Sequence, residues 1–224
     1  MRTLLICHEH AALDREGLAR WLATFSTFVG TVVVREPAGR MRKRIAREIR
    51  RVGFWRFLDV LAFRLYYRLS QASSDQRIEG RELEWLRARF PDRPNASEMI
   101  VASPNSVEAE TFIRRCEPDL IIARCKTLLR IDAGVDTGPV FGYFRVDGDP
   151  YESHVLTQHR AVLDHLDAIR DKLREIETGT AAPIDTQGRR SAAWGQPWLT
   201  ALVRMRAGAR RHNAGSLKSE TSRS

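Results

Sequence analysis

The chain lacks the short signatures from which function is most often read. It contains no G-x-G-x-x-G, no G-x-x-x-x-G-K-[S/T], no G-x-S-x-G and no H-E-x-x-H. The dinucleotide-fingerprint, P-loop, nucleophile-elbow and zincin readings therefore lose their usual support. Cysteine is scarce and odd in number: Cys7, Cys116 and Cys125 stand at no metal-like spacing, and two of them lie in or beside apolar runs. That usage points to buried thiols in a reducing compartment rather than to a disulfide framework or a metal site. Acidic residues are in deficit, 28 against 37 Lys and Arg, for a net charge of +9 and an isoelectric point of about 10.2. Such a balance favours anionic partners: nucleotides, nucleic acid or lipid headgroups.

Long apolar runs are missing too. "RTLLICH" after Met1 holds only four consecutive apolar residues, too short for a secretory h-region, and predicts a first strand and a cytoplasmic protein. The most lipid-like segment, "FWRFLDVLAFRLYYRL" from Phe54 to Leu69, is interrupted by Arg56, Asp59, Arg64 and Arg68. Each of these is costly at a bilayer centre, so no membrane span is expected there.

What is present is enough for a core. At 224 residues and 43% hydrophobic content, the length predicts one substantial domain, over 1–188, and a basic extension over 189–224 that is partly disordered. "TLLIC" at Thr3, "FVGTVVV" at Phe28, "EMIVAS" at Glu98 and "DLIIA" at Asp119 are nearly continuous apolar runs. This is the pattern of strands buried on both faces, as in a parallel sheet covered by helices. Helical stretches lie between them, so the expected class is α/β, with a mostly parallel sheet flanked by helices.

Two helices are marked by their caps. Asn105 is the expected N-cap of a helix ending near Cys116, with Glu108 as its capping-box partner and Pro118 at the exit. A single long helix is expected from Asp149 as cap, through Pro150 and Glu152, to Gly179, with Val155, Val162, Leu166, Ile169, Leu173 and Ile176 as its apolar stripe. Beyond Gly188 a short amphipathic helix is expected within "RRSAAWGQPWLTALVRM".

Several groups invite a chemical reading. The region from Arg40 to Leu69 is a basic helix that turns aromatic; it suits an anionic membrane or a phosphate-rich partner, and equally a solvated face whose apolar stripe packs inward. His154, His159 and His165 fall five and six residues apart, a spacing that does not share a helix face, so no metal site is expected. His8 and His10 end the first strand, where the carboxyl edge of a parallel sheet presents functional groups. In "RIDAGVDTGPVFGYF", Asp136 sits in a Gly-flanked turn. Backbone N–H groups can hold such a carboxylate ionised, so that it relays a proton or orients an imidazole, although many such loops are plain Asx turns.

In context, "IDAGVDTGPVFGYF", preceded by "PDLIIARCKTLL" and followed by a helix ending in "GTAAPIDTQGR", resembles the 10-formyltetrahydrofolate-dependent formyltransferases of methionyl-tRNA, glycinamide ribonucleotide and sugar amines. The similarity runs with gaps from about Thr3 to Gln187, and D-x-G-x-D-T-G-x-[V/I] is its most specific part. The resemblance implies a Rossmann-like formyltransferase fold and transfer of a formyl group from 10-formyltetrahydrofolate to an amine acceptor, with a nucleotide sugar or other anionic substrate among the candidates. It implies that Asp136 is the catalytic carboxylate. It also implies that Ala133, Gly134 and Val135 meet the pterin, that Arg124, Cys125, Lys126, Thr127 and Leu128 form the other folate-contacting loop, and that Asn105 caps a helix.

The chain departs from that pattern in its middle. Family members carry an asparagine two residues before a histidine; here no Asn stands two residues before a His, and none of the histidines lies between His10 and His154. "RCKTLL" runs directly into "RIDAGVDTG", as if the central part of the family domain were missing. Neighbouring parallel strands need a crossover of about a dozen residues, which this junction does not supply. The readings left open are formyl transfer, binding of folate or another anion without turnover by a relative that acts through its basic helix, and a nucleic-acid module with no recognised reading motif.

Overall fold

The computed structural model describes residues 1–35, 39, 41–124, 140–146, 149, 151–185 and 198–209. The chain divides into two compact units: Met1–Arg40 with Arg77–Gly142 and Arg170–Gly188, and Met41–Gln76 with Tyr143–Ile169 and Arg189–Ser224.

The first unit is built on four parallel strands, β1 (Arg2–His8), β2 (Thr27–Val34), β3 (Ser97–Val101) and β4 (Leu120–Arg124), in the order β3-β2-β1-β4. All four apolar runs expected to be strands are strands. The near-continuous hydrophobicity has its physical reason in β1, where successive side chains point to opposite faces yet Leu4, Leu5, Ile6 and Cys7 are all buried. On one face Leu4, Ile6, Val32, Val34 and Val101 pack with Ala109, Phe112 and Cys116 of helix α5 (Val107–Cys116). Gly30 of β2 makes room for this contact: a Cβ there would lie 3.0 Å from the ring of Phe112 and 3.2 Å from the Ser97 carbonyl.

Between Thr3 and Leu4 the pairing of β1 with β2 shifts register by one residue, leaving Val29 as the extra residue of a bulge. Thr3, buried at the shift, is satisfied through its hydroxyl, 2.6 Å from that of Ser26, which in turn donates to the Leu22 carbonyl. Arg2 fastens the C-terminal end of α5, donating to the carbonyls of Cys116 and Glu117 at 2.7 and 3.0 Å, as suits a cation at the negative end of a helix.

Between β1 and β2 the chain forms a π-helical segment, Leu13–Leu18, which continues into α1 (Ala19–Ala23). Gly17 in that segment lies against buried Leu86, whose Cδ1 occupies the space a Cβ would need. Leu86 belongs to α4 (Ala72–Arg89), whose residues from Arg77 onward are part of the first unit.

In the second unit, the region read as one basic helix is two. Helices α2 (Met41–Val52) and α3 (Phe54–Ser70) are separated by Gly53, whose φ of +82° suits only glycine without strain. The two pack together. The inner face of α3 buries Phe57, Val60 and Phe63. The long helix expected from Asp149 also differs. Asp149 accepts from the Tyr151 N–H in an Asx turn, and the helix proper begins at His154 with Ser153 as its N-cap, accepting from Leu156 N at 3.1 Å. The reason is a buried fastening: the Ser153 hydroxyl donates to Asp75 at 2.6 Å, which fixes where the helix starts. That helix, α6 (His154–Leu163), stops before Asp164 and His165, and a separate helix, α7 (Leu166–Glu177), follows, whose residues from Arg170 onward belong to the first unit. Gly179, with φ of +70°, follows the end of α7 as expected.

A smaller correction concerns α5. Its N-cap is Ser106, whose hydroxyl accepts from Ala109 N at 3.3 Å, rather than Asn105. The expected amphipathic helix beyond Gly188 is described over 199–209.

Candidate functional site

In a sheet of order β3-β2-β1-β4 the chain leaves β1 toward one side and later returns to its other side. Strands β1 and β4 thus flank a topological switch point, and the crevice beyond their carboxyl ends is where open parallel sheets bind ligands. Cys7 pairs with Arg124 in the register of this edge. His8 ends β1 half-buried and His10 lies exposed just beyond it.

The π-helical segment that follows β1 lends this edge a carboxylate. Asp14 is 6% exposed, and its Oδ1 accepts from Arg124 Nε at 3.1 Å. A buried carboxylate is tolerable only with a partner of this kind. The pair therefore holds the guanidinium of the last residue of β4 in one place. Beside it Arg35, following β2, donates twice through Nε to Glu9, at 2.8 and 2.9 Å; farther back, Arg15 bridges to Glu98, three residues before the carboxyl end of β3. The hydrogen bond from Arg35 holds the Glu9 carboxyl below its ordinary range. Glu16 is tied more firmly, taking Arg87 at 2.6 and 2.7 Å and Arg20 at 3.1 Å; Arg87 is the largest cause of a carboxyl brought down to about 2. At the carboxyl edge itself the guanidinium of Arg124 is thus oriented by Asp14 and that of Arg35 by Glu9, each with a carboxylate partner.

Of the residues predicted for the site, Arg124 is placed at the switch point. Asp136, Cys125, Lys126, Thr127, Leu128, Ala133, Gly134 and Val135 lie outside the described residues. Asn105 sits exposed before α5 and does not cap it. The ring of His154 packs edge-on to Phe63 and Tyr67 within the second unit, at 5.3 and 5.5 Å between centroids. Among the described residues no group of three or more His, Cys, Asp or Glu is arranged to hold a metal ion.

Two carboxylates went unread in the sequence. Asp14 in "AALDREGLARWL" was hidden by its partner's distance of 110 residues along the chain. Its only signal was an acid inside an otherwise apolar face. Asp75, 3% exposed, accepts from the Tyr67 and Ser153 hydroxyls at 2.8 and 2.6 Å. That second cluster is a fastening inside the second unit, with every member engaged by its neighbours.

The fold and its edge define a class: an α/β protein with an all-parallel four-stranded sheet flanked by helices, in a Rossmann-like arrangement. No protein-family model, curated protein or solved structure matches the chain.

Proposed function

We propose that the protein is a formyltransferase-type domain that takes 10-formyltetrahydrofolate at the crevice between β1 and β4 and passes the formyl group to an amine. The observation that carries this reading is the position of Arg124. It is the first residue of the "RCKTLL" segment assigned to folate contact, and it stands at the switch point with its guanidinium held by Asp14. A cation fixed at that edge suits the anionic folate, and the Gly-flanked Asp136 follows twelve residues later in the chain.

In the reaction, the amine nitrogen attacks the formyl carbon and the carbonyl oxygen takes up negative charge. The bond from that carbon to N10 of the folate then breaks. The amine loses its proton, N10 gains one, and the products are a formamide and tetrahydrofolate. Asp136 serves as the group that assists proton movement. Acceptors of the nucleotide-sugar amine class suit the basic character of the chain.

One specific observation favours a second reading, binding without turnover: the chain holds no Asn two residues before a His to stabilise the developing oxyanion. Conversion of 10-formyltetrahydrofolate to tetrahydrofolate in the presence of amino-sugar nucleotides separates the two. Formyl transfer predicts conversion that Asp136→Asn abolishes while tetrahydrofolate binding persists. Binding with no conversion by either protein selects the second reading, and absence of binding removes both.

A further inference from the structure

Residues 41–70 carry nine basic side chains and two acidic ones, 9 − 2 = +7 of a whole-chain net charge of +9. Both acids are engaged: Glu48 accepts from Arg51 at 2.6 Å, and Asp59 accepts from the backbone N–H of Thr200 at 3.1 Å and from its hydroxyl. This stretch of the second unit is therefore strongly basic in sequence, and among its described side chains Arg50, Arg51 and Arg68 are exposed.

The same stretch exposes apolar side chains in an ordered way. On α3, Phe54, Leu58, Leu61, Leu65 and Leu69 recur every three or four residues and so share one face, opposite buried Val60 and Phe63. All five are exposed, Leu69 to 77%, and Trp55 beside them is 81% exposed. Arginines stand beside this stripe: Arg50 and Arg51 near the end of α2, just before it, and Arg68 on the same arc of α3, all of them exposed; Arg56, on the other side of the helix, lies over Trp198. The helix over 199–209, docked on α3 through Asp59 and through Arg206 stacked on Tyr66, adds exposed Val203 and Met205.

We propose that this face is a docking surface for an anionic lipid bilayer, on which α3 lies in the interface with its leucine stripe and Trp55 below the headgroups and its arginines among them. Three physical considerations select this occupant. A bilayer supplies the two things the face asks for, negative charge at the surface and hydrocarbon just beneath. Nucleic acid would satisfy the arginines but offers nothing to a row of leucines. A second copy of the chain would bring the same +7 against itself. No described helix is long and apolar enough to cross a membrane, so attachment is to the surface. The tryptophan at the junction of the basic and apolar helices occupies the level at which indole rings anchor in interfaces.

The test is flotation of the full chain with vesicles of phosphatidylcholine mixed with phosphatidylglycerol, beside vesicles of phosphatidylcholine alone, at low and high salt. The expected result is binding to the anionic vesicles alone, weakening with salt. Arg50→Gln with Arg68→Gln should lower partitioning about fivefold per arginine, about twenty-five-fold together. Leu65→Gln with Leu69→Gln should lower it by roughly tenfold or more, with circular dichroism unchanged because both side chains are exposed. The proposal is overturned if the chain ignores anionic vesicles, binds both compositions equally, or binds anionic vesicles equally well after Leu65→Gln with Leu69→Gln. Retention of a mixed-sequence DNA duplex by the arginines alone, without vesicle binding, would assign the face to nucleic acid. A dimer in sedimentation lost with the leucines, again without vesicle binding, would assign it to a second copy.

Discussion

The sheet of the first unit and helix α3 of the second treat similar sequence in opposite ways. "TLLIC" is almost wholly apolar, and "FWRFLDVLAFRLYYRL" is rich in apolar residues between its charges. In β1 both faces are covered and Leu4 to Cys7 reach zero exposure, whereas in α3 one arc is buried and the other stands in water. The difference teaches that hydrophobicity along a chain reports what needs covering, and topology decides what is covered. A strand paired on both sides inside a parallel sheet has helices laid over it by its own crossovers. A helix has no such crossovers, and its arcs are covered only where some neighbour packs on them.

The comparison can be broken from either end, and the largest effect is expected in the sheet. Phe112→Ala removes the ring that fills the space over Gly30 among Leu4, Ile6 and Val32; urea unfolding should show a loss of about 3–5 kcal/mol. Next comes the inner fastening of the second unit. Asp75→Ala removes the buried carboxylate that accepts from buried Ser153 and half-buried Tyr67, for a loss of about 2–3 kcal/mol by the same measurement.

The ion pairs between the π-helical segment and α4 come third, through pH. The Glu16 carboxyl lies at about 2 in the folded protein against an ordinary 4.5, held down chiefly by Arg87. For a depressed acid the contribution is fully present above the ordinary value and is lost as pH falls through 4.5 toward 2. Unfolding free energy should therefore fall by about 1–2 kcal/mol more between pH 5 and pH 3 in the native chain than in Glu16→Gln, allowing for solvent screening of a partly exposed group. The smallest effect belongs to the outer face of α3. Leu65→Gln, at a side chain 59% exposed, should leave stability within about 0.5 kcal/mol. A large loss there would mean that the outer arc is covered after all and would remove the contrast.

Much of the fold was legible because it rests on local signals. The four strands announced themselves as apolar runs, the α5 helix by an N-cap residue, and the end of α7 by Gly179. What failed was the choice between neighbouring options of equal local merit. Asn105 and Ser106 are both competent caps, and the chain uses Ser106. Asp149-Pro150 is a good helix start, but the buried bond from Ser153 to Asp75, 78 residues apart, moves the start to His154. The split at Asp164 and His165 carries neither Gly nor Pro, so the stripe read through it as one helix. For the candidate site, the sequence named Arg124 from its neighbours in "RCKTLL" but could not name Asp14, since nothing local ties a π-helical acid to a strand end 110 residues away. The outer stripe of α3 was equally hidden, because periodicity identifies a helix without telling which arc is left uncovered.

The claim that the β1–β4 crevice holds a reduced folate is tested most directly by calorimetric titration of the purified chain with tetrahydrofolate, repeated with Arg124→Ala. The account predicts a saturable single-site isotherm in the native chain and weaker binding in the variant by at least roughly tenfold, the loss expected for a charge-assisted contact. Absence of saturable heat, or an isotherm that the loss of Arg124 leaves unchanged, would contradict it.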